Sequence, residues 1–160
     1  MTTRPDRPRV MFLCTGNSCR SQMAEGWSRH LLGDRVDACS AGTHPHGLNP
    51  LAERVMREVG VDISDQASKA VEACAPESLD LVVTVCGHAH EHCPLFLTRN
   101  PRTRVLHRGF DDPPALAADA DGDDEALPHY RRVRDEIRAF IETLPELLDP
   151  AAADSVTGGE

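Results

Sequence analysis

Short apolar runs alternate along this chain with stretches whose apolar residues recur at helical spacing. Val10-Met11-Phe12-Leu13 is unbroken, as in a strand buried on both faces, and predicts a first strand over Arg9–Leu13. Met23, Trp27 and Leu31 then recur every fourth position, so a helix is expected from near Ser21, stopped by Gly33. A second strand follows over Arg35–Ser40 and leads into Ala41-Gly42-Thr43. Asn49-Pro50 reads as a helix cap with proline at the first helical position. Leu51, Val55 and Val59 mark that helix's buried side, and Gly60 marks its end. Asp80–Val85 is the most strand-like stretch, and Val105-Leu106 centres a fourth strand. Val133, Ile137, Phe140, Ile141 and Leu144 line a last helix from Pro128 to Leu148, which Pro145 is expected to kink or shorten.

Strands alternating with helices predict an α/β fold, a four-stranded parallel sheet flanked by helices on both faces. The 160 residues suit one domain, expected over 9–148, with a flexible arm over 1–8 and a disordered tail over 149–160. The loop after the first strand then lies at the strands' carboxyl ends, where such sheets bind ligands.

That loop is Cys14-Thr15-Gly16-Asn17-Ser18-Cys19-Arg20-Ser21. A strand, a glycine-bearing turn and a helix N-terminus together build an oxyanion cradle from backbone N–H groups, here those of Thr15, Gly16, Asn17, Ser18 and Cys19. A Cys14 thiol in that field is expected to lose its proton readily. Arg20 can fork two donors onto a tetrahedral oxyanion, and the Ser21 hydroxyl can hold the thiolate or cap the helix. The pattern describes a nucleophile aimed at a bound oxyanion.

After the third strand comes Cys86-Gly87-His88-Ala89-His90-Glu91-His92-Cys93. Cys86 leaves its strand on the same sheet edge as Cys14, which makes the two sulfurs candidate neighbours. Seven helical residues would separate Cys86 from Cys93 by about 10.5 Å, beyond the roughly 7 Å between Cα atoms that a disulfide tolerates. Joining them would require that segment to unwind, with Gly87 a low-cost hinge. The alternative is a pair of buried, inert thiols.

The stretch from Cys14 to Gly26, CTGNSCRSQMAEG, resembles the phosphate loop of the low-molecular-weight tyrosine phosphatase family. More narrowly, it is similar to the thioredoxin-coupled arsenate reductases built on that fold, and the resemblance spans residues 8–148. It implies reduction of arsenate to arsenite: Cys14 attacks arsenic, Cys86 attacks Cys14 and releases arsenite, and Cys93 takes Cys86. Thioredoxin would then reduce the Cys86–Cys93 disulfide, with no bound cofactor. The family's general acid precedes a proline, which matches Asp112 in Phe110-Asp111-Asp112-Pro113; Asp111 would orient the loop or face solvent. Some of these reductases bind potassium beside the loop, through residues matching Asn17, Glu25 and Ser40 and an aspartate. Lys69 stands at that last place, the only lysine among 17 basic residues, and would put its own ammonium where the ion sits.

Composition narrows the partners. A net charge of −9 argues against nucleic acid and anionic membranes. The start, MTTRPDRPRV, lacks the apolar core of a secretory signal, and no stretch is long enough to span a bilayer, so a cytoplasmic location is expected; a monomer is expected too, though nothing in the sequence argues for it. All six cysteines then read as thiols rather than staples, with Cys39 and Cys74 as small core or surface residues and Cys19 inside the cradle. His88, His90 and His92 read as loop residues beside Cys93 rather than a metal site. Asp119–Asp124 reads as a solvated insert rather than a calcium loop, since its glycine is misplaced and Tyr130 stands where the closing glutamate belongs.

The expected ligands are small oxyanions: arsenate as substrate, phosphate or sulfate as competitors. A phosphatase acting on phosphotyrosine or aryl phosphates is the second reading, because cradle and acid serve both reactions. Against it, Pro113-Pro114-Ala115 supplies no aromatic after the acid to stack on such a substrate. A third is a non-catalytic oxyanion sensor. A mycothiol or glutaredoxin route would need Cys14 alone.

Overall fold

The computed structural model of the protein describes residues 7–85 and 103–148. Cys86, Cys93, His88, His90 and His92, most of the expected arm and the expected tail lie outside the described residues. The elements run β1 (Arg9–Cys14), α1 (Arg20–Leu32), β2 (Asp37–Gly42), α2 (Pro50–Glu58), single 3-10 turns at Val71–Cys74 and Pro76–Ser78, β3 (Leu81–Thr84), β4 (Arg104–His107), α3 (Pro113–Leu116) and α4 (Asp123–Leu148).

The four strands are parallel in the order β2-β1-β3-β4. The chain steps from β1 to β2 on one side, then returns to β3 on the other. That reversal opens a crevice at the carboxyl end of β1, where Cys14 stands. Val10, Met11, Phe12 and Leu13 are fully buried, as an unbroken apolar run in a central strand requires. α1 packs on β1 and β2 and against α4, and α4 also packs on α2. Consequently α1 is buried around most of its circumference from Ser21 to Ser28, polar residues included. Leu32, not Leu31, completes its fully buried side.

Some boundaries differ from the sequence expectation. β2 starts at Asp37 because its register with β1 pairs Arg9 with Asp37 and Cys14 with Gly42, two residues further along than the apolar pattern suggested. α4 starts at Asp123, not Pro128: Asp123, Asp124 and Glu125 occupy its first turn, where carboxylates oppose the helix dipole favourably. Part of the supposed acidic insert is therefore helix. Pro128 and Pro145 both lie within α4, and the helix continues through Pro145 to Leu148. Its predicted inward residues are all buried.

A larger correction concerns the cysteines. Cys39 and Cys74 are joined in a disulfide with an S–S distance of 2.08 Å, while Cys14 and Cys19 are thiols. The pair ties edge strand β2 to the 3-10 turn at Val71–Cys74. Reading every cysteine as a thiol assumed that compartment decides pairing; proximity of two separate elements decided it here. Among the described residues no helix is long and apolar enough to cross a membrane.

Candidate active site

Residues 14–19 leave β1 and wrap into a loop that α1 continues. Every carbonyl from Cys14 to Ser18 is held from outside the ring. Thr43 N–H donates to Cys14 O (3.2 Å), His44 N–H to Thr15 O (2.8 Å), His46 N–H to Gly16 O (2.9 Å) and Asn49 N–H to Ser18 O (2.9 Å). Ser68 Oγ also donates to Gly16 O (3.1 Å), and Gln22 Nε2 to Asn17 O (2.9 Å). With the carbonyls tied outward, the N–H side of the loop turns inward, which is the polarity an oxyanion requires. β2 can lie this close because it ends in glycine: a Cβ at Gly42 would stand 2.6 Å from Thr15 O and 2.8 Å from Asn17 N.

Cys14 is 3% exposed, with its sulfur 2.9 Å from Ser21 Oγ. Asn17 orients that contact. Its backbone takes a left-handed conformation (φ 47°), tolerable for asparagine, and its side chain is fully buried. Lys69 N–H donates to Asn17 Oδ1 (2.8 Å), and Asn17 Nδ2 donates to Ser21 Oγ (2.9 Å). Ser21 Oγ accepts that amide and keeps its own proton available for the sulfur. Ser21 thus contacts the Cys14 sulfur; the helix cap position belongs to Cys19, which makes no side-chain capping bond. Cys19 is buried in the same loop, and loss of hydration pushes its thiol pKa far up, outweighing the attraction of Arg20. Cys19 is accordingly a neutral wall of the cradle.

Arg20 donates from Nη1 to Phe110 O (3.0 Å), and its Nη2 lies 3.4 Å from Asp112 Oδ1. The structure therefore brings Cys14, Arg20, Ser21 and Asp112 to one mouth. Asp112 is 42% exposed, open to substrate and water. Asp111 turns the other way and pairs with Arg132 on α4 (2.8 Å), anchoring the acid loop.

Behind the loop, Glu25 is 1% exposed with both oxygens engaged. Oε1 accepts from Ser40 Oγ (2.6 Å) and faces Lys69 Nζ (3.4 Å), while Oε2 pairs with Arg29 (2.8 Å). Two cations already match this carboxylate, so the residues do not fit a potassium ion. Lys69 Nζ also donates to Ala67 O (3.1 Å), taking up a carbonyl in the same place. Among the described residues no group of three or more His, Cys, Asp or Glu could hold a metal ion.

Sequence reasoning missed the outer supports. His46 and Ser68 carried no visible signal, because each acts on a loop carbonyl from another part of the chain; Asn49 was legible as a helix cap and Gln22 as part of the motif, but not their bonds to Ser18 O and Asn17 O. Tyr130, which the sequence offers only as a misfit in a calcium loop, lies near this site. Its hydroxyl accepts from Asn49 Nδ2 (3.2 Å), and burial raises its pKa against the lowering effect of that hydrogen bond.

Comparison with known proteins matches the model for the low molecular weight phosphotyrosine protein phosphatase family to residues 9–153. An arsenate reductase of Halalkalibacterium halodurans is 51% identical over 138 residues, covering 86% of this chain and 94% of that protein. A solved arsenate reductase in the phosphate-binding state superposes with a TM-score of 0.70 at 31% identity, covering 89% of this chain and 99% of that one. The thioredoxin-dependent arsenate reductase of Corynebacterium glutamicum superposes with a TM-score of 0.65 at 25% identity, over 89% of this chain and 64% of that one.

Proposed function

Because the chain belongs to the low molecular weight phosphotyrosine protein phosphatase family, and its relatives include arsenate reductases, we propose that it reduces arsenate to arsenite through a thiol relay. The observation that carries this reading is a buried Cys14 sulfur, held by Ser21, inside a loop whose carbonyls all face away from it. Arsenate enters as an oxyanion, its oxygens met by loop N–H groups and the Arg20 guanidinium. The Cys14 thiolate attacks arsenic, and Asp112 protonates the departing oxygen as water. Cys86 thiolate then attacks the Cys14 sulfur. The sulfur–arsenic electron pair passes to arsenic, which leaves as arsenite, and two thiols have become one disulfide. Cys93 exchanges onto Cys86, restores Cys14, and leaves a Cys86–Cys93 disulfide for a dithiol donor.

Thioredoxin is the donor this relay fits, in keeping with the similar thioredoxin-dependent arsenate reductase of Corynebacterium glutamicum. A compartment that keeps thiols reduced, the cytoplasm, is where such a relay can cycle. Arsenate, phosphate and sulfate share the tetrahedral shape the cradle suits. The described chain reaches Val85, whose N–H donates to Leu13 O (2.9 Å) and whose carbonyl accepts from Phe110 N–H (3.0 Å). Cys86 therefore follows directly on a residue pinned between the nucleophile's strand and the acid loop.

The deciding experiment is mass spectrometry of enzyme that has met arsenate once without reductant. A Cys86–Cys93 disulfide with one arsenite released per enzyme is the expected product. Full retention of the Cys86 and Cys93 thiols, with phosphate esters hydrolysed instead, would leave a phosphatase.

Lys69 in place of a bound cation carries its own expectation. Arsenate turnover should be the same in potassium and sodium at equal ionic strength, measured by steady-state kinetics. Marked stimulation by potassium would show that Lys69 Nζ leaves Glu25 to make room.

A further inference from the structure

The Cys39–Cys74 disulfide has no part in the relay, yet it closes the element that supports the cradle. Between α2 and β3, the stretch 64–70 contains no helix or strand of its own and is held by side-chain and loop bonds, among them Gln66 Nε2 to Gln22 O (3.0 Å) and Lys69 Nζ to Glu25 Oε1 (3.4 Å). Further bonds converge on the phosphate-type loop. Ser68 Oγ donates to Gly16 O, Lys69 N–H to Asn17 Oδ1, and Gln22 Nε2 to both Asn17 O and Ala67 O. On its other side, Gly42 N–H donates to Lys69 O (2.8 Å) and Gly42 forms an isolated bridge with Ala70. Four residues beyond that bridge, Cys74 is bonded to Cys39 in β2, with Cα atoms 6.0 Å apart. β2 is the sheet's outer strand, so nothing in the sheet flanks this side except the segment the disulfide fastens.

We propose that Cys39–Cys74 is a redox-controlled clamp: closed, it keeps residues 67–70 seated against the oxyanion loop; opened by a dithiol reductant, it lowers the cradle's affinity for its ligand. The inference rests on the reading of the loop as an oxyanion site. Opening begins when a reductant thiolate attacks the Cys39 sulfur, since Cys39 is partly exposed whereas Cys74 is 1% exposed. The first bond exchanged leaves Cys74 as the departing thiol and Cys39 in a mixed disulfide. The reductant's second thiol then displaces Cys39, so the reductant ends as a disulfide and the protein has gained two electrons and two protons. Cys74 sulfur lies 3.4 Å from Ser40 O, an acceptor in place for the new thiol. The Ser40 hydroxyl is bonded to Glu25, whose carboxylate faces Lys69, so the loosened edge reaches the loop by a second path. In a reducing compartment a surviving disulfide is commonly a sensing one.

The test measures binding of inorganic phosphate by calorimetry in the full-length chain. It is done in a Cys86→Ser/Cys93→Ser background, which removes the other expected dithiol pair. Alkylation mapping of each sample states which cysteines are paired, with Cys14 and Cys19 required to be thiols in both. Opening Cys39–Cys74 with dithiothreitol should weaken phosphate binding roughly fivefold or more. The measurement is made well below the unfolding transitions of both forms. Adding Cys39→Ser/Cys74→Ser should give the weak affinity with or without dithiothreitol; if that variant does not fold, reduction of the parent alone decides. An unchanged affinity with the pair demonstrably open overturns the clamp, even if the melting temperature falls, because that describes a mere staple. Two freely alkylated thiols in the air-oxidised protein also overturn it. Absence of phosphate binding in either state would remove the oxyanion reading itself, and the clamp with it.

Discussion

Replacing Cys14 with serine is expected to abolish arsenate reduction, by at least about 10⁴-fold in kcat/KM. Serine nearly preserves the shape of the side chain, so the loop, its outward carbonyls and Arg20 remain in place. The alcohol, however, is a far weaker nucleophile than a thiolate, and oxygen cannot enter a disulfide. Phosphate binding should survive while arsenite production disappears, a split that separates loss of chemistry from loss of fold. Ser21→Ala is the graded companion. It removes the hydroxyl 2.9 Å from the sulfur and leaves the Asn17 amide unaccepted. A hydrogen bond to a charged group is worth roughly 10- to 100-fold in rate. Near-wild-type arsenite production by Cys14→Ser would end the mechanism.

Replacing Cys86 or Cys93 with serine should stop multiple turnover with thioredoxin as donor, a loss of about 10³-fold or more. Slow hydrolysis of an aryl phosphate, which needs only Cys14, Arg20 and Asp112, should stay within about twofold of the parent. The two variants are expected to stop at different points. Without Cys86, no sulfur attacks the Cys14–arsenic adduct, and arsenite is not released. Without Cys93, one arsenite per enzyme is released and the chain stops as a Cys14–Cys86 disulfide, which intact mass and peptide mapping would identify. Equal loss of reductase and phosphatase activity in the Cys86 variant would point to a structural role. Sustained turnover of that variant with a low-molecular-weight thiol would favour the single-cysteine route.

The reactive loop was legible because it is contiguous. An apolar run, a cysteine at its end, a glycine and an arginine before a helical repeat describe strand, turn and helix in adjacent residues, and local geometry follows from local sequence. The order of strands and helices was legible for the same reason, as were Asn49 and Pro50 at the start of α2, where Asn49 Oδ1 accepts from the N–H groups of Leu51 and Ala52. Register was less so: β2 slid two residues because its pairing with β1, not its own apolar pattern, sets where it starts.

Sequence by itself placed Cys14 and Arg20 on one strand-to-helix loop and determined the parallel α/β plan and the family resemblance. Tertiary structure alone decided which groups hold the loop's carbonyls, that Arg132 takes Asp111, that Arg29 and Lys69 face Glu25 from two sides, and that Cys39 bonds Cys74. Each of these depends on the distance between atoms from separate elements. Arg132 claims Asp111 only because α4 returns past the acid loop, and two cysteines 35 residues apart meet only because one lies on an edge strand the other's turn covers. Such distances are set by packing the whole chain, whereas a motif constrains only the residues it contains.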